Sequence, residues 1–262
     1  MESFETLIPQ SWKELQELLY YDSFNSYLDR YRSSYVYRGV DLSSYDLSTT
    51  LNRLGESHLE KHLLRNFTKY SSRTHRYSSV WYLLALAQHH GLPTRLLDWT
   101  YSPLVALHFA TADFDKFDED GAIYSINYVD TKDELPAVLK EIIIKEGSHI
   151  FTAEMLERTV NSLPDLTNLQ KDPFAIFFEP PSIDDRIVNQ YAVFSMMSHP
   201  ETLISEWVAQ NNIKSFKIII PKELKWEIRD KLDQSNINER VLFPGLDGLA
   251  LWLKRHYWDI RK

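Results

Sequence analysis

The sequence predicts an α+β fold in which a helical first half packs on a small, mostly antiparallel sheet core. Three observations carry this expectation. Apolar residues recur at helical spacing as far as Thr111, and strand-like runs of aromatic and β-branched residues take over from Gly121. No internal repeat or low-complexity linker interrupts either half. At 262 residues, with 44% apolar and 25% charged, the chain can bury one sizeable core, so a single domain over residues 1–262 is expected.

The first helix opens at Ser11-Trp12-Lys13-Glu14, a capping-box spacing, with Trp12, Leu15, Leu18 and Leu19 on one face. It forms a helical lead-in over residues 1–33. A short aromatic strand follows at Tyr35–Arg38. Val40–Leu54 is polar, aperiodic and rich in Ser and Thr, and reads as an ordered loop. Ser57-His58-Leu59-Glu60 is a second capping box, starting a helix with Leu59, Leu63, Leu64 and Phe67 inward. Lys61, Arg65, Lys69, Arg73 and Arg76 lie along the same stretch and read as a solvated helix face. The run Val80–Ala87 is apolar on every side, so a helix from Ser79 to His90 should be central, ended by Gly91 and Pro93. Ser102-Pro103 starts a fourth helix, through about Thr111, with a hydroxyl cap and Pro at the first helical position.

The second half reads as strands at Gly121–Tyr128, Phe174–Phe178, Tyr191–Met197 and Phe216–Ile220. Helical patterns alternate with them near Asp133–Lys145, Ala153–Leu163, Glu201–Ala209 and Glu223–Leu232. Val241-Leu242-Phe243-Pro244 leads through Gly245 into a terminal helix ending near Tyr257.

Several function classes are excluded on composition. The chain has no cysteine, which removes disulfides, thiol catalysis and Cys-ligated metals. A net charge of −8 disfavours broad nucleic-acid binding. No apolar run spans a bilayer, and Met1-Glu2-Ser3-Phe4-Glu5 lacks a signal-peptide pattern, so a cytoplasmic protein without membrane contact is expected. In that setting the acceptor-like triplet Asn66-Phe67-Thr68 has no consequence. There is no phosphate-binding Gly loop, dinucleotide fingerprint, His-Glu-x-x-His pair or Gly-x-Ser-x-Gly elbow. The acidic stretch Asp113–Gly121 fails as a calcium loop, because Lys116 and Asn127 fall at its first and last ligand positions. No metal is expected.

Two segments carry the chemistry. In Tyr35-Val36-Tyr37-Arg38-Gly39 an Arg ends an aromatic strand beside a Gly that permits close approach of a ligand or another backbone. Asp98 is a candidate partner for Arg38. The run Gln88-His89-His90-Gly91-Leu92-Pro93-Thr94-Arg95-Leu96-Leu97-Asp98-Trp99-Thr100 gathers amide, imidazole, guanidinium, carboxylate and hydroxyl groups between two buried helices. Thr100, Ser102 and the N–H groups of the next helix form a donor array suited to an anion. The structural alternative is a polar network in which Arg95 and Asp98 satisfy each other.

Together these segments, with Ser102-Pro103-Leu104-Val105-Ala106-Leu107-His108-Phe109-Ala110, resemble the FRG domain family, named for its Phe/Tyr-Arg-Gly triplet. Leu51-Asn52-Arg53 and Leu242-Phe243-Pro244-Gly245-Leu246-Asp247-Gly248-Leu249 also resemble FRG features, which implies an FRG core over residues 34–250 and a terminal helix ending within residues 251–262. Arg186 and Gln190 resemble the family's Arg-x-x-x-Gln-x-Gly-x-Phe segment, with Ala192 in place of Gly, and are expected at the site edge.

A more distant resemblance is to the Arg-Ser-Glu class of ADP-ribosyltransferases, whose fold and chemistry it implies. NAD would then be the substrate, with Arg38 holding its phosphates, Thr100 and Ser102 orienting the nicotinamide ribose, and Glu239, on a late strand, as the catalytic acid. Arg38, Gly39, Arg53, Gln88, His89, Thr94, Arg95, Asp98 and Thr100 would line the NAD site. Asn238-Glu239-Arg240 departs from the class's Glu-x-Glu pair, which leaves Asp98 and Asp247 as other positions for the acid. The implied function is an ADP-ribosyltransferase or NAD glycohydrolase, acting on a protein or nucleic-acid acceptor, as a toxin or phage-defence effector. The alternatives are a non-catalytic nucleotide- or phage-protein-binding sensor, and a hydrolase using His89 or His90 as base.

Overall fold

The computed structural model describes residues 4–55, 57–71 and 77–257; Arg73 and Arg76 of the basic stretch and residues 258–262 of the expected terminal helix lie outside them. The strands are β1 (Glu5–Leu7), β2 (Phe24–Asn25), β3 (Arg30–Tyr31), β4 (Tyr35–Val40) and β5 (Leu96–Thr100). They continue with β6 (Gly121–Asn127), β7 (Phe151–Thr152), β8 (Ala175–Glu179), β9 (Ala192–Met197) and β10 (Ser215–Ile220). Eight form one sheet in the order β1-β10-β6-β4-β5-β9-β8-β7, and β2 and β3 form a separate ribbon. Only the outer pairs β1–β10 and β7–β8 are parallel, so the α+β, mostly antiparallel expectation holds.

The sheet is larger than the sequence suggested, and its centre comes from the helical half. β4 and β5 are buried along most of their length and insert between strands of the second half. The segment expected as a connection between two helices therefore ends as a central strand. Other boundaries shift for local reasons. The expected loop before Leu54 contains a short helix, Thr50–Leu54, held by a capping box of Thr49 and Asn52. The helix expected over Ala153–Leu163 is two, Ala153–Glu157 and Leu163–Thr167, because Ser162 caps a fresh start with Pro164 in its first turn.

Strand alternation explains the layers. On one face, Val36, Val40, Leu97, Trp99, Ala122, Tyr124, Phe177 and Val193 form one continuous core with Ile204, Trp207 and Val208 of the helix Ile204–Gln210. The opposite face carries two separate clusters. Tyr35, Tyr37, Ile123, Phe216 and Ile218 pack against the helices Trp12–Leu19, Pro103–Phe109 and Lys225–Gln234. Leu96, Ile176, Phe178, Phe194 and Met196 pack against Val80–His89 and Ala137–Glu146, with Trp81, Leu84, Leu139 and Ile143 inward. The two helical groups part over the β4–β5 seam.

Gly39 seats one of these groups. A Cβ there would lie 1.8 Å from the Ala106 carbonyl oxygen and 2.7 Å from the Ala110 nitrogen. The close neighbour is thus another backbone, the helix Pro103–Phe109 and its cap, and neither atom can swing aside. Gly39→Ala is expected to cost about 3 kcal/mol through overpacking. A thermal melt of the variant checks this, and an unchanged Tm would contradict the seating.

Candidate functional site

The site lies at that seam. β4 pairs with β6 at all six positions from Tyr35 to Val40, but with β5 only at Tyr37↔Thr100. Beyond this point β4 and β5 diverge, and the Asp98 carbonyl is released from strand pairing. Arg38 satisfies it: Nη1 donates to Asp98 O at 2.7 Å. A cleft of about 290 Å³ opens there, walled by Tyr37, Trp99, Phe109 and Phe194 and edged by Arg38, Gln88, His89, Asp98, Thr100, Arg186 and Gln190. Its size lies at the lower end for small-molecule sites, enough for one half of a dinucleotide.

Charge in the cleft is only partly neutralised. The Arg38 guanidinium stands 3.8 Å from Asp98 Oδ2, and its buried Nε has no hydrogen-bond partner. Burial holds its pKa below the usual value, Asp98 opposes the shift, and the nearby Arg53 adds to it. Such a guanidinium stays protonated, so it is a cation in want of an anion. Asp98 is presented by a relay: Thr94 Oγ1 donates to Gln88 Oε1 at 2.6 Å, and Gln88 Nε2 donates to Asp98 Oδ2 at 2.8 Å. The fully buried Thr94 thus fixes the amide without entering the cleft.

The far wall is built by the helix Asp185–Asn189. Asp184 caps it, with Oδ1 accepting from Ile187 N at 3.2 Å, and its Oδ2 lies 2.7 Å from His89 Nε2. Burial lowers the His89 pKa; Asp184 opposes this, and Arg186 and His90 reinforce it. The segment before the terminal helix braces the same wall. Gln190 Nε2 donates to Leu242 O at 3.0 Å, and the Arg186 guanidinium sits 4.9 Å from the Phe243 ring centroid. At the start of β9, Ala192 replaces the Gly of the family pattern without strain; the left-handed residue is Tyr191, at φ 50°.

Arg38, Gly39, Gln88, His89, Asp98 and Thr100 are therefore brought together, with Arg186 and Gln190 at the edge. Thr100 Oγ1 accepts from Ser102 N at 3.0 Å, which leaves its hydroxyl proton to donate. The expected donor array is largely used up, since Ser102 Oγ caps its own helix through Val105 N and Ser102 does not line the cleft. Arg53 also stays outside the wall, bonded to Ser48 O and Thr50 Oγ1, though near enough to act on Arg38. Arg95 does not satisfy Asp98. It is buried in a forked pair with Glu60, with Nη1 donating to Ser198 O at 3.0 Å, and so ties β5 to the helix Glu60–Ser71.

Glu239 is placed differently from the sequence expectation. It starts the short helix Glu239–Leu242 rather than lying on a strand, it does not line the cleft, and its carboxylate is held by Arg229 and Arg255. Asp247 is exposed in the first turn of the helix Leu246–His256. Phe109, Trp99, Ile187, Phe194 and Asp184 were missed as site residues. Asp184-Asp185 ahead of Arg186 is a readable cap signal, but it opens only a five-residue helix, too short to show a period.

Among the described residues, no group of three His, Asp or Glu side chains could hold a metal ion, and no helix is long and apolar enough to cross a membrane. No curated protein and no solved structure matches the chain. A family model described as FRG domain matches residues 33–119. This span contains Arg38, Gly39 and the whole relay from Gln88 to Thr100, whereas Asp184, Arg186 and Gln190 are contributed from outside it. Residues 33–119 are thus identified as an FRG domain, and the cleft at the β4–β5 seam is built mainly from residues within that span.

Proposed function

We propose that the cleft binds NAD and breaks its nicotinamide–ribose bond, as an ADP-ribosyltransferase or an NAD glycohydrolase. One observation carries the reading: an under-neutralised guanidinium, Arg38, faces a presented carboxylate, Asp98, across an aromatic-walled cleft large enough for a nucleoside. Arg38 anchors a phosphate through its remaining donors, with Arg186 adding positive charge at the edge. Aromatic walls receive the nicotinamide ring. Thr100 donates to a ribose oxygen. Asp98 takes the part first assigned to Glu239, stabilising the positive charge that develops on the ribose as the bond to nicotinamide breaks. A protein or nucleic-acid acceptor, a cytoplasmic setting and a role as toxin or phage-defence effector belong to the same reading and rest on the family resemblance.

The second reading is a sensor that binds a nucleotide without turnover. It is favoured by the engagement of Asp98 with both Gln88 and Arg38. The two are separated by following nicotinamide release and, by calorimetry, NAD binding, in wild type and Asp98→Asn. Turnover predicts a loss of about 10²-fold in release with NAD binding retained, the scale of one lost transition-state contact. Binding without release in the wild type selects the sensor. Neither binding nor release removes NAD altogether.

A further inference from the structure

We propose that His89, oriented by Asp184, is the base that activates a hydroxyl acceptor for attack on the ribose. This assignment rests on the NAD reading above and names its acceptor class. The geometry is that of an oriented base. Asp184 Oδ2 is 2.7 Å from His89 Nε2, so the neutral ring donates there and Nδ1 is left as its one proton-accepting atom. The ring lines the cleft that holds Arg38, Asp98 and Thr100, with its side chain 16% exposed, so it is held in place yet reachable.

Asp184 serves two donors at once. Its Oδ1 caps the helix that supplies Arg186 and Ile187 to the cleft, and its Oδ2 fixes the imidazole. The cap and the base are thus set by one carboxylate, and neither can move without the other. The groups facing His89 are Asp184, Arg186, His90 and Asp98, and burial outweighs the two carboxylates in keeping the ring neutral.

The acceptor class follows from the base. A neutral imidazole takes the proton of a neutral hydroxyl as that oxygen attacks, whereas a protonated Lys or Arg offers no lone pair. In the step, the acceptor oxygen forms a bond to ribose C1′ as its proton passes to His89 Nδ1. The C1′–nitrogen bond breaks, and its electron pair leaves with nicotinamide, neutralising the pyridinium. His89 then releases the proton to solvent. Water yields free ADP-ribose, and an alcohol yields an O-linked ADP-ribosyl glycoside.

The test follows nicotinamide release against pH, with NAD affinity by calorimetry, in wild type, His89→Gln and Asp184→Asn. Free ADP-ribose and ADP-ribose attached to an added alcohol are quantified separately to distinguish the two acceptors. His89→Gln is expected to lose about 10²-fold in rate, the usual share of one general base, with NAD affinity unchanged. The wild-type rate should fall as pH drops below the His89 ionisation, and this acid limb should vanish in His89→Gln. Asn has one acceptor oxygen where Asp184 uses two, so Asp184→Asn disturbs the imidazole or the cap. Losing the carboxylate should also move the limb to lower pH. A His89→Gln enzyme that keeps the wild-type rate and acid limb would overturn the assignment alone. A wild type that releases no nicotinamide would overturn it together with the NAD reading.

Discussion

On the proposed NAD reading, Arg38→Ala is expected to weaken NAD binding by about 10²-fold or more, the scale for removing a hydrogen-bonded charge from a desolvated site. The reason lies in the seam. Arg38 holds the Asp98 carbonyl where β4 and β5 separate, while its remaining terminal N–H groups are left for an anion. Arg38→Lys keeps the charge but not the fork, since one ammonium cannot serve the carbonyl and a phosphate with the same planar geometry. At least tenfold of the loss should therefore persist in the Lys variant. Calorimetric titration with NAD checks both, beside a thermal melt. Full affinity in Arg38→Ala would place the anion site elsewhere and remove the central support for the proposed function.

Glu239→Gln has the largest effect expected on stability. The carboxylate accepts from Arg229 Nη2 at 2.7 Å and from Arg255 Nε and Nη2 at 2.9 and 2.8 Å, while Arg255 also holds Asp233 at 2.7 Å. His108, fully buried, accepts at Nδ1 from Arg229 at 2.9 Å. Removing the central charge leaves Arg229 buried without an anionic partner and Arg255 with Asp233 alone, a cost of about 3–5 kcal/mol. For a chain of this size that is a Tm decrease on the order of 10 °C. Loss of nicotinamide release without a fall in Tm would instead return Glu239 to a catalytic role.

The pH dependence of the same cluster has a definite sign. Burial alone would raise the Glu239 pKa, but the hydrogen bonds from Arg255 and the charge of Arg229 outweigh it and hold the carboxyl at about 2 against an ordinary 4.5. The stability this contributes is present above pH 4.5 and is lost as pH falls towards 2. Burial and Arg229 also lower the His108 pKa to about 3 from 6.5, so its contribution is lost as pH falls from 6.5 towards 3 and the ring is forced to charge. Acid unfolding should start below neutral pH and steepen below pH 4.5. In Glu239→Gln the deficit relative to wild type should shrink across the lower part of that range.

Much of the fold was legible because its signals are local. Ser11 and Ser102 cap their helices as their spacing implied, and Gly91 ends its helix at φ 78°. The apolar run at Val80–Ala87 is the buried helix it resembled. Less legible were the elements defined by partners. β1 and β7 are only three and two residues long and exist because β10 and β8 offer open edges. β5 was hidden within a motif whose polar residues suggested a connection.

Sequence by itself determined that the segments around Arg38 and Gln88–Thr100 belong to one FRG domain, because a motif of that length is specific independently of its surroundings. Only the tertiary structure decided which members face the cleft. Arg95 and Asp98 are three residues apart, yet Arg95, in the bend just before β5, is buried against Glu60 and the Ser198 carbonyl, while Asp98, within β5, is presented to the site. The same holds for Glu239 and Asp184. Both are acids at the start of a short helix; one is enclosed by two arginines, the other stands beside His89. Spacing along the chain carries no record of which charges meet across it, and that meeting separates a structural carboxylate from one placed at the site.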